Sequence, residues 1–202
     1  MSSVWRETGA RRRRSAHNTT VESEGAGLDS TDLRRLIASG VASGERWAEL
    51  GSGEGNFTLT LAELLGEQGS IVSVDWDSRA IATQRRRLAV SRPGATVEHR
   101  IADFTADLGL SGLDGILMAN CLHFLPDPTP VLRLVRGYLA GGGRLLVVEY
   151  DSDRGNHWVP HPFSYSRWAV MAAGAGFSGT RVLARYPGRF LGGMYSALSE
   201  LL

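Results

Sequence analysis

The sequence predicts an α/β fold with a mostly parallel, seven-stranded sheet, helices on both faces and a C-terminal antiparallel hairpin. Short apolar runs alternate with amphipathic helical segments from residue 28 onward, which favours a parallel sheet covered on both sides. A glycine-rich turn follows the first strand-like run and precedes a helix. The last two strand-like runs are separated only by Pro187-Gly188, a turn dipeptide that predicts the hairpin.

The elements follow in order from a helix start at Asp29-Ser30-Thr31-Asp32, whose side chains are typical N-caps. Five apolar runs predict the parallel strands, namely Trp47–Leu50, Ile71–Val74, Thr96–Ile101, Leu113–Ala119 and Leu145–Val148. Helical spacing of apolar residues predicts helices at Phe57–Leu65, Arg79–Val90, Thr129 to Leu139 and Tyr165–Ala173. Glycines at 141–143 are expected to end the third of these helices. The hairpin strands are Thr180–Tyr186 and Arg189–Leu198.

Length and composition limit the protein to one substantial domain. Of its 202 residues 43% are apolar, so a hydrophobic core is expected. The formal net charge is only +1, so no strong electrostatic field that would attract nucleic acid or membranes is expected. All 22 basic residues are arginine, which excludes lysine Schiff-base chemistry. A single cysteine, Cys121, excludes an internal disulfide and suits a reducing compartment. No secretory signal and no membrane span are recognisable, so we expect a cytoplasmic protein.

We expect residues 1–27 to form a flexible, basic N-terminal tail and residues 28–202 to form a single domain. The tail is polar, contains the run Arg11–Arg14 and ends in the glycine-rich segment Glu24-Gly25-Ala26-Gly27. The alternative hypothesis is an arm that contacts phosphates or closes over the active site.

The segment from Glu49 to Gly55 predicts a ligand-binding turn. Gly51, Gly53 and Gly55 let the chain turn tightly and let a ligand approach the backbone. The helix that follows directs free N–H groups at that ligand. Asn56 stands where dinucleotide-binding turns have a third glycine, and Glu49 lies within reach of a cationic ligand group. Because nicotinamide and flavin enzymes use similar turns, the turn alone leaves those alternatives open.

Two further segments follow strands at the same predicted edge of the sheet. Asp75 ends the second strand and offers a carboxylate to both hydroxyls of a ribose. Trp76 is placed to lie against an adenine ring, with a surface-packed aromatic as the alternative. After the third strand, Asp103 is expected to accept the adenine amino hydrogens and Phe104 to offer its backbone N–H or ring face. The alternative is an exposed loop aspartate beside a core phenylalanine.

Together these segments resemble the successive motifs of class I S-adenosylmethionine-dependent methyltransferases. The matching segments are Trp47–Leu65, Ser70–Asp75, Ala102–Phe104, Leu113–Phe124 and Arg144–Tyr150. The resemblance implies a Rossmann-like fold, S-adenosylmethionine as methyl donor and S-adenosylhomocysteine as product. The cofactor contacts that the resemblance implies are Glu49, Gly51, Gly53, Asp75, Asp103 and Asn120. The expected cofactor site also includes Ser52, Trp76 and Phe104. Ala119–Phe124 is similar to the ubiquinone/menaquinone-biosynthesis type, which implies a small organic acceptor.

The acceptor site is expected in the loops after the fourth and fifth strands, because ligands of such sheets bind beyond the carboxyl ends of strands. His123 is the candidate general base, since histidine ordinarily titrates near neutral pH; a histidine that only supports the loop is the alternative. Tyr150 is a second catalytic candidate. The candidate acceptor contacts are Asp151, Arg154, Asn156, His157 and Trp158. The alternative for this loop is a crossover held by its own hydrogen bonds.

No metal site is expected. His157 and His161 have the spacing of two ligands on one helix, but Pro160 and Pro162 disrupt the helix that would align them. Metal chemistry is therefore not part of the hypothesis.

Nucleic-acid substrates are also disfavoured. Cys121 follows Asn120, whereas the nucleophile of cytosine methyltransferases follows a proline, and the Asp/Asn-Pro-Pro-Tyr signature of amino-methylating enzymes is absent. The rival hypotheses are methylation of RNA or protein docked on Arg11–Arg14, a non-catalytic S-adenosylmethionine-binding module, and a nicotinamide dehydrogenase.

Overall fold

Seven strands form one sheet in the computed structural model, which describes residues 28–201. The strands are β1 Arg46–Leu50, β2 Ser70–Asp75, β3 Thr96–Ile101, β4 Leu113–Ala119, β5 Leu139–Tyr150, β6 Ser178–Tyr186 and β7 Met194–Glu200. Their order across the sheet is β3-β2-β1-β4-β5-β7-β6. β7 alone runs opposite to the other six strands, so the predicted fold class is confirmed.

Helices lie between the strands as the periodicity predicts. They are α1 Ser30–Ile37, α2 Asn56–Leu65, α3 Ser78–Ser91, α4 Thr129–Tyr138 and α5 Tyr165–Gly174, with 3-10 turns at Ala38–Gly40, Leu122–Phe124 and Phe190–Gly192. Asp29 starts α1 by accepting a hydrogen bond from the N–H of Asp32 over 2.8 Å. Asp77 and Ser164 cap α3 and α5 with their own side chains.

Each face of the sheet buries an apolar core. On one face, Val135 of α4 and Trp168 of α5 pack with strand residues such as Leu145. On the other, Ile37 of α1 and Leu61 of α2 belong to a second buried cluster. The central strands are apolar on both sides because helices cover both sides.

The strand order reverses between β1 and β4. The chain moves outward from β1 to β2 and β3, then returns to the other side of β1. Since parallel strands end at the same edge, the loops after β1 and β4 diverge there and leave a crevice. The glycine turn and the loops after β4 and β5 all begin at this edge, which brings the candidate residues together.

The boundary between α4 and β5 differs from the prediction. The helix expected to reach Leu139 ends at Tyr138, and Leu139 already pairs with Leu113 of β4. The register then shifts so that Gly115 pairs with Arg144, with the glycines at 141–143 lying between these two pairs. Those glycines therefore lie within β5, where its pairing with β4 is irregular, and do not end the helix.

The C-terminal hairpin is confirmed, but its connection is longer than the predicted Pro187-Gly188 turn. Gly192 and Gly193 have φ values of 77° and 87°, a left-handed backbone that ends extended structure. A 3-10 turn at Phe190–Gly192 therefore replaces the start of the predicted strand Arg189–Leu198, and β7 begins at Met194.

The predicted basic tail at residues 1–27, with Arg11–Arg14, lies outside the described residues, so its separation from the domain stays a prediction. Within residues 28–201, no helix combines the length and apolar character needed to cross a bilayer. No group of three or more His, Cys, Asp or Glu side chains in that range is arranged to hold a metal ion.

Candidate functional site

The glycine turn between β1 and α2 has a backbone that other residues rarely adopt. Gly51, Gly53 and Gly55 have φ values of 76°, 54° and 83°. A Cβ on Gly51 would lie 2.7 Å from the Cβ of Cys121, whereas one on Gly53 would meet no atom within 4 Å. Gly51 therefore lets the turn pack on the loop after β4, and Gly53 faces open space.

Asp75 joins the end of β2 to the glycine turn. The N–H of Gly53 donates to Asp75 Oδ2 over 2.8 Å, and the N–H of Asp77 donates to Oδ1 over 2.9 Å. Two backbone donors therefore fix the carboxylate, while each oxygen keeps a second acceptor position for the hydroxyls of a ligand. The structure thus brings together two predicted parts of the cofactor site, the glycine turn after β1 and the carboxylate at the end of β2.

The first turn of α2 is open to a ligand. Gly55 is the N-cap residue, and no side chain caps the helix. The first N–H groups of a helix lack partners within it and attract negative charge. Arg87 of α3 donates to the carbonyl oxygen of Glu54 over 2.8 Å and to Asn56 Oδ1 over 2.7 Å, which steadies the turn and adds positive charge beside it. This end of the turn suits a carboxylate or phosphate group.

A chain of buried polar side chains lies beneath the turn. Glu49 is 2% exposed and accepts a short hydrogen bond from the Thr58 hydroxyl. The Gln84 carboxamide donates to Thr58 and accepts from the Ser73 hydroxyl over 2.9 Å. Ser73 Oγ also lies 2.8 Å from Ser52 Oγ. The chain of hydrogen bonds therefore links β1, β2, α2 and α3 to the turn itself.

Burial controls the protonation of Glu49. Desolvation raises the pKa of this carboxyl from 4.5 to about 8; the hydrogen bond from Thr58 opposes the rise and the nearby charge of Asp75 adds to it. At neutral pH the acid is mainly protonated, and an approaching cation would favour its ionised form. Glu49 is thus placed to respond to a cationic ligand group.

Sequence reasoning does not single out Thr58 or Gln84, although the structure places both under the turn. One signal for Gln84 exists, because it shares the buried face of α3 with Ala80, Ile81 and Leu88 at helical spacing. A polar side chain on such a face destabilises the protein unless it has a buried partner. The partners themselves depend on how α2 and α3 pack.

The segment after β3 runs beside Asp75, since the N–H of Ala102 donates to the carbonyl oxygen of Asp75 over 3.1 Å. Asp103 is exposed, and its Oδ1 accepts from the N–H and the hydroxyl of Thr105 at 2.9 and 2.7 Å. Oδ2 of Asp103 makes no hydrogen bond to any of residues 28–201 and stays open to a ligand donor. Trp76 is half-buried directly after Asp75.

Phe104 is part of the core. Its side chain is buried, and its Cε1 lies 3.3 Å from the position that a Cβ on Gly51 would take. The ring therefore supports the glycine turn from within the core, which leaves the backbone as the part of Phe104 that suits the predicted ligand contact.

Asn120 combines a left-handed backbone with a buried, unpaired oxygen. Its φ is 52°, and its N–H donates to the carbonyl oxygen of Val148 over 2.9 Å. Oδ1 of Asn120 is buried and accepts no hydrogen bond from the described part of the chain. Because buried polar atoms are nearly always paired in folded proteins, this oxygen marks a position that fits a ligand donor.

His123 lies against the carboxylate of Glu149. The two side chains are 3% and 0% exposed, and His123 Nδ1 lies 2.6 Å from Glu149 Oε2. Glu149 Oε1 accepts from the N–H of Leu122 over 3.0 Å. The sequence analysis does not predict this pairing, because the pairing depends on the register of β5 against β4.

The ring of Tyr150 lies between the rings of His123 and Phe190. The ring centroid of Tyr150 lies 5.8 Å from that of His123 and 5.3 Å from that of Phe190, which is 48% exposed. Burial and the charge of Glu149 raise the pKa of the Tyr150 phenol, so it keeps its proton at neutral pH. Tyr150 therefore suits a wall or a hydrogen-bond donor and does not suit a proton acceptor. Phe190 was not among the predicted site residues.

The loop after β5 is held by its own hydrogen bonds. Asp151 accepts from the N–H of Tyr165 over 3.0 Å and forms an ion pair with Arg185. Asn156 Oδ1 accepts from the N–H groups of Trp158 and Val159 at 2.8 and 2.9 Å. Asp151 and Asn156 therefore shape the loop, as the alternative for this segment expects.

The other predicted acceptor contacts are exposed. Arg154, His157 and Trp158 lie on the surface of the loop, with Trp158 45% exposed and packed edge-on against His157. The N–H of His161 donates to the carbonyl oxygen of His123 over 3.0 Å, which ties the loop to the turn after β4. The contacts of Arg154, His157 and Trp158 with a methyl acceptor therefore stay a prediction.

Comparison with known proteins agrees with this geometry. Residues 48–145 match the family model described as a methyltransferase domain. A ubiquinone/menaquinone biosynthesis C-methyltransferase of Vibrio cholerae is 30% identical over 118 residues, which cover 57% of this chain and 45% of that protein. An arsenite methyltransferase of Aquipseudomonas alcaligenes is 30% identical over 126 residues, covering 59% and 36% respectively. The chain thus spans less than half the length of these curated relatives.

Solved structures show the same fold. An S-adenosylmethionine-dependent methyltransferase from Aquifex aeolicus superposes with a TM-score of 0.67 at 17% identity, over 87% of this chain and 95% of that one. An arsenic(III) S-adenosylmethionine methyltransferase from Chlamydomonas reinhardtii gives a TM-score of 0.68 at 19% identity, over 95% and 73%. The predicted Rossmann-like fold is therefore confirmed.

Proposed function

We propose that this chain belongs to the class I S-adenosylmethionine-dependent methyltransferases and transfers a methyl group from that cofactor to a small organic acceptor. The observation that supports this most directly is the hydrogen bond from Gly53 to Asp75, because it aligns a carboxylate and a glycine turn around the space for one nucleoside. When bound, S-adenosylmethionine supplies an electrophilic methyl group on a positively charged sulfur.

The nucleoside end of the cofactor fits the residues after β2 and β3. We assign Asp75 to the ribose hydroxyls, since each of its oxygens keeps an acceptor position. Trp76 is assigned to the face of the adenine ring and Asp103 Oδ2 to its amino group. Phe104 contributes its backbone and supports the turn from the core.

The amino-acid end fits the residues at the glycine turn. The open N-terminus of α2 and the backbone of Gly51, Ser52 and Gly53 suit a carboxylate. Asn120 Oδ1 is a buried acceptor without a donor, which an ammonium group would supply. Glu49 lies behind the turn and would ionise in response to the same positive charge.

A small acceptor is supported by the relatives, whose names state quinone biosynthesis and arsenite as their chemistry. We place the acceptor between His123, Tyr150 and the loop after β5. His123 and Tyr150 face the reacting atoms, and the exposed rim is formed by Arg154, His157 and Trp158. A single cysteine in the chain is compatible with the cytoplasmic location that we propose.

The test is ligand preference followed by label transfer. S-adenosylhomocysteine is expected to raise the melting temperature and to give a binding isotherm, whereas NADH gives neither; the reverse preference would overturn the proposal. With methyl-labelled S-adenosylmethionine and a bacterial extract, label is expected in the small-molecule fraction. Label found in RNA or protein would support methyl transfer but would overturn the proposal of a small organic acceptor.

A further inference from the structure

The side chains of His123 and Glu149 form a buried hydrogen bond whose direction depends on the tautomer of the imidazole. Glu149 accepts the N–H of Leu122 on Oε1 over 3.0 Å and faces His123 Nδ1 with Oε2 over 2.6 Å. An ionised Glu149 carboxylate can only accept hydrogen bonds, so a neutral imidazole facing it carries its proton on Nδ1. Nε2 then carries a lone pair.

The imidazole ring follows β4 at the edge of the sheet where β4 and β5 end. Glu149 is fully buried, and the ring centroid of Tyr150, the last residue of β5, lies 5.8 Å from that of His123. Nε2 of His123 makes no hydrogen bond to any residue within 28–201. The same turn begins directly after Asn120, whose unpaired Oδ1 marks the predicted cofactor position. With its lone pair, Nε2 is therefore the basic atom of the turn that follows Asn120.

We propose that Glu149 is a positioning residue that holds His123 in the Nδ1–H form, so that Nε2 accepts a proton from the methyl acceptor. This inference rests on the proposed function and narrows it to protic acceptors, whose O–H or N–H bond breaks as the new bond to the methyl carbon forms. The proton passes to Nε2, the electron pair of the broken bond forms the O–C or N–C bond, and the pair of the C–S bond returns to sulfur.

The carboxylate serves a second purpose in that step. Once Nε2 takes the proton, the imidazolium is held against the buried negative charge of Glu149, which compensates the cation in a site from which water is largely excluded. An acceptor with a free lone pair and no proton to lose, such as a thioether, needs no such pair. Protic substrates are therefore the class that matches these two residues.

The decisive measurement is the tautomer of His123 in the complete chain. Protonated and bare imidazole nitrogens differ strongly in ¹⁵N chemical shift, and a His123→Gln variant identifies the signal among the five histidines. In the neutral ring of the wild-type protein we expect Nδ1 protonated and Nε2 bare, with S-adenosylhomocysteine present or absent. A proton on Nε2 would overturn the proposal, and this measurement requires no Glu149 variant to fold.

Glu149→Gln tests the positioning role. A carboxamide has one acceptor oxygen and cannot accept from both Leu122 N–H and Nδ1–H, so we expect the Nε2–H tautomer to become populated. The matched control is Glu200→Gln, which removes a carboxylate from β7 opposite Arg144, at the far end of the sheet from Glu149. An unchanged tautomer in folded Glu149→Gln would overturn the role of Glu149.

Label transfer separates the two proposals. Glu149→Gln and His123→Ala are expected to lower transfer into the small-molecule fraction by about 10²–10⁴-fold, with S-adenosylhomocysteine binding kept within a few-fold. Normal transfer in both variants would overturn the role as proton acceptor. If the wild-type protein does not bind S-adenosylhomocysteine, the proposed function is overturned. The tautomer measurement would still show whether Glu149 holds His123 in the Nδ1–H form.

Discussion

The side chain of Gln84 occupies the space that a Cβ on Gly55 would need. A Cβ built on Gly55 lies 2.8 Å from Gln84 Nε2 and closer still to Gln84 Cγ. Gly55 also has a φ of 83°, so backbone conformation and packing both require glycine at this position. The third glycine of the turn therefore serves the buried polar chain beneath it, whereas Gly53 faces outward.

Gly55→Ala is expected to destabilise the fold by about 2–4 kcal/mol, because a left-handed alanine and a clash with Gln84 add together. The matched control is Gly109→Ala, which has a φ of 62° and no atom within 4 Å of the new methyl group. This control should cost about 1 kcal/mol. Denaturant unfolding measures both free energies, and equal losses would contradict the packing argument.

Gln84→Met keeps the volume of the side chain and removes its hydrogen bonds. Thr58 and Ser73 then lose a buried partner, which is expected to cost about 1–3 kcal/mol of unfolding free energy. Gln68→Met at an exposed position is the control and should change stability by less than about 0.5 kcal/mol. If the two variants are equally stable, the buried chain does not support the turn.

Glu49 predicts a pH dependence of stability. Its pKa in the folded protein, about 8, lies above the ordinary 4.5, so the folded state binds the proton more tightly than the unfolded state. The stability that this provides is complete below pH 4.5 and is lost as pH rises through about 8. Glu49→Gln, which carries no titrating proton, should flatten this part of the profile. Unfolding free energies from pH 5 to pH 9 measure the change, and an identical slope in the variant would contradict it.

Asp75→Asn is expected to weaken S-adenosylhomocysteine binding by about 10–100-fold, because charge-assisted hydrogen bonds to the ribose become neutral ones. Asp127→Asn is the control, since Asp127 is exposed, its Oδ1 accepts from the N–H of Thr129 over 3.0 Å, and the asparagine oxygen can accept the same hydrogen bond. Calorimetric titration gives both dissociation constants. An unchanged affinity in Asp75→Asn would remove Asp75 from the cofactor site.

The predicted parts of the site are those carried by local sequence. Gly51, Gly53 and Asp75 each follow a recognisable strand, and parallel strands deliver their carboxyl ends to one edge whatever the details of packing. Tyr150 was placed at the correct edge for the same reason, but its raised pKa argues against a role as proton acceptor. The loop from Asp151 was harder to interpret, because polar residues in a loop suit ligands and internal hydrogen bonds equally well.

The sequence by itself determined the alternation of strands and helices, the glycine turn and the carboxylate of Asp75, because apolar periodicity and turn chemistry act over a few neighbouring residues. Only the tertiary structure decided that Gln84 lies beneath Gly55, that Glu149 faces His123 and that Asp151 pairs with Arg185. Each of these contacts joins residues 26 or more positions apart, and such contacts depend on strand register and helix packing, which local sequence patterns do not specify.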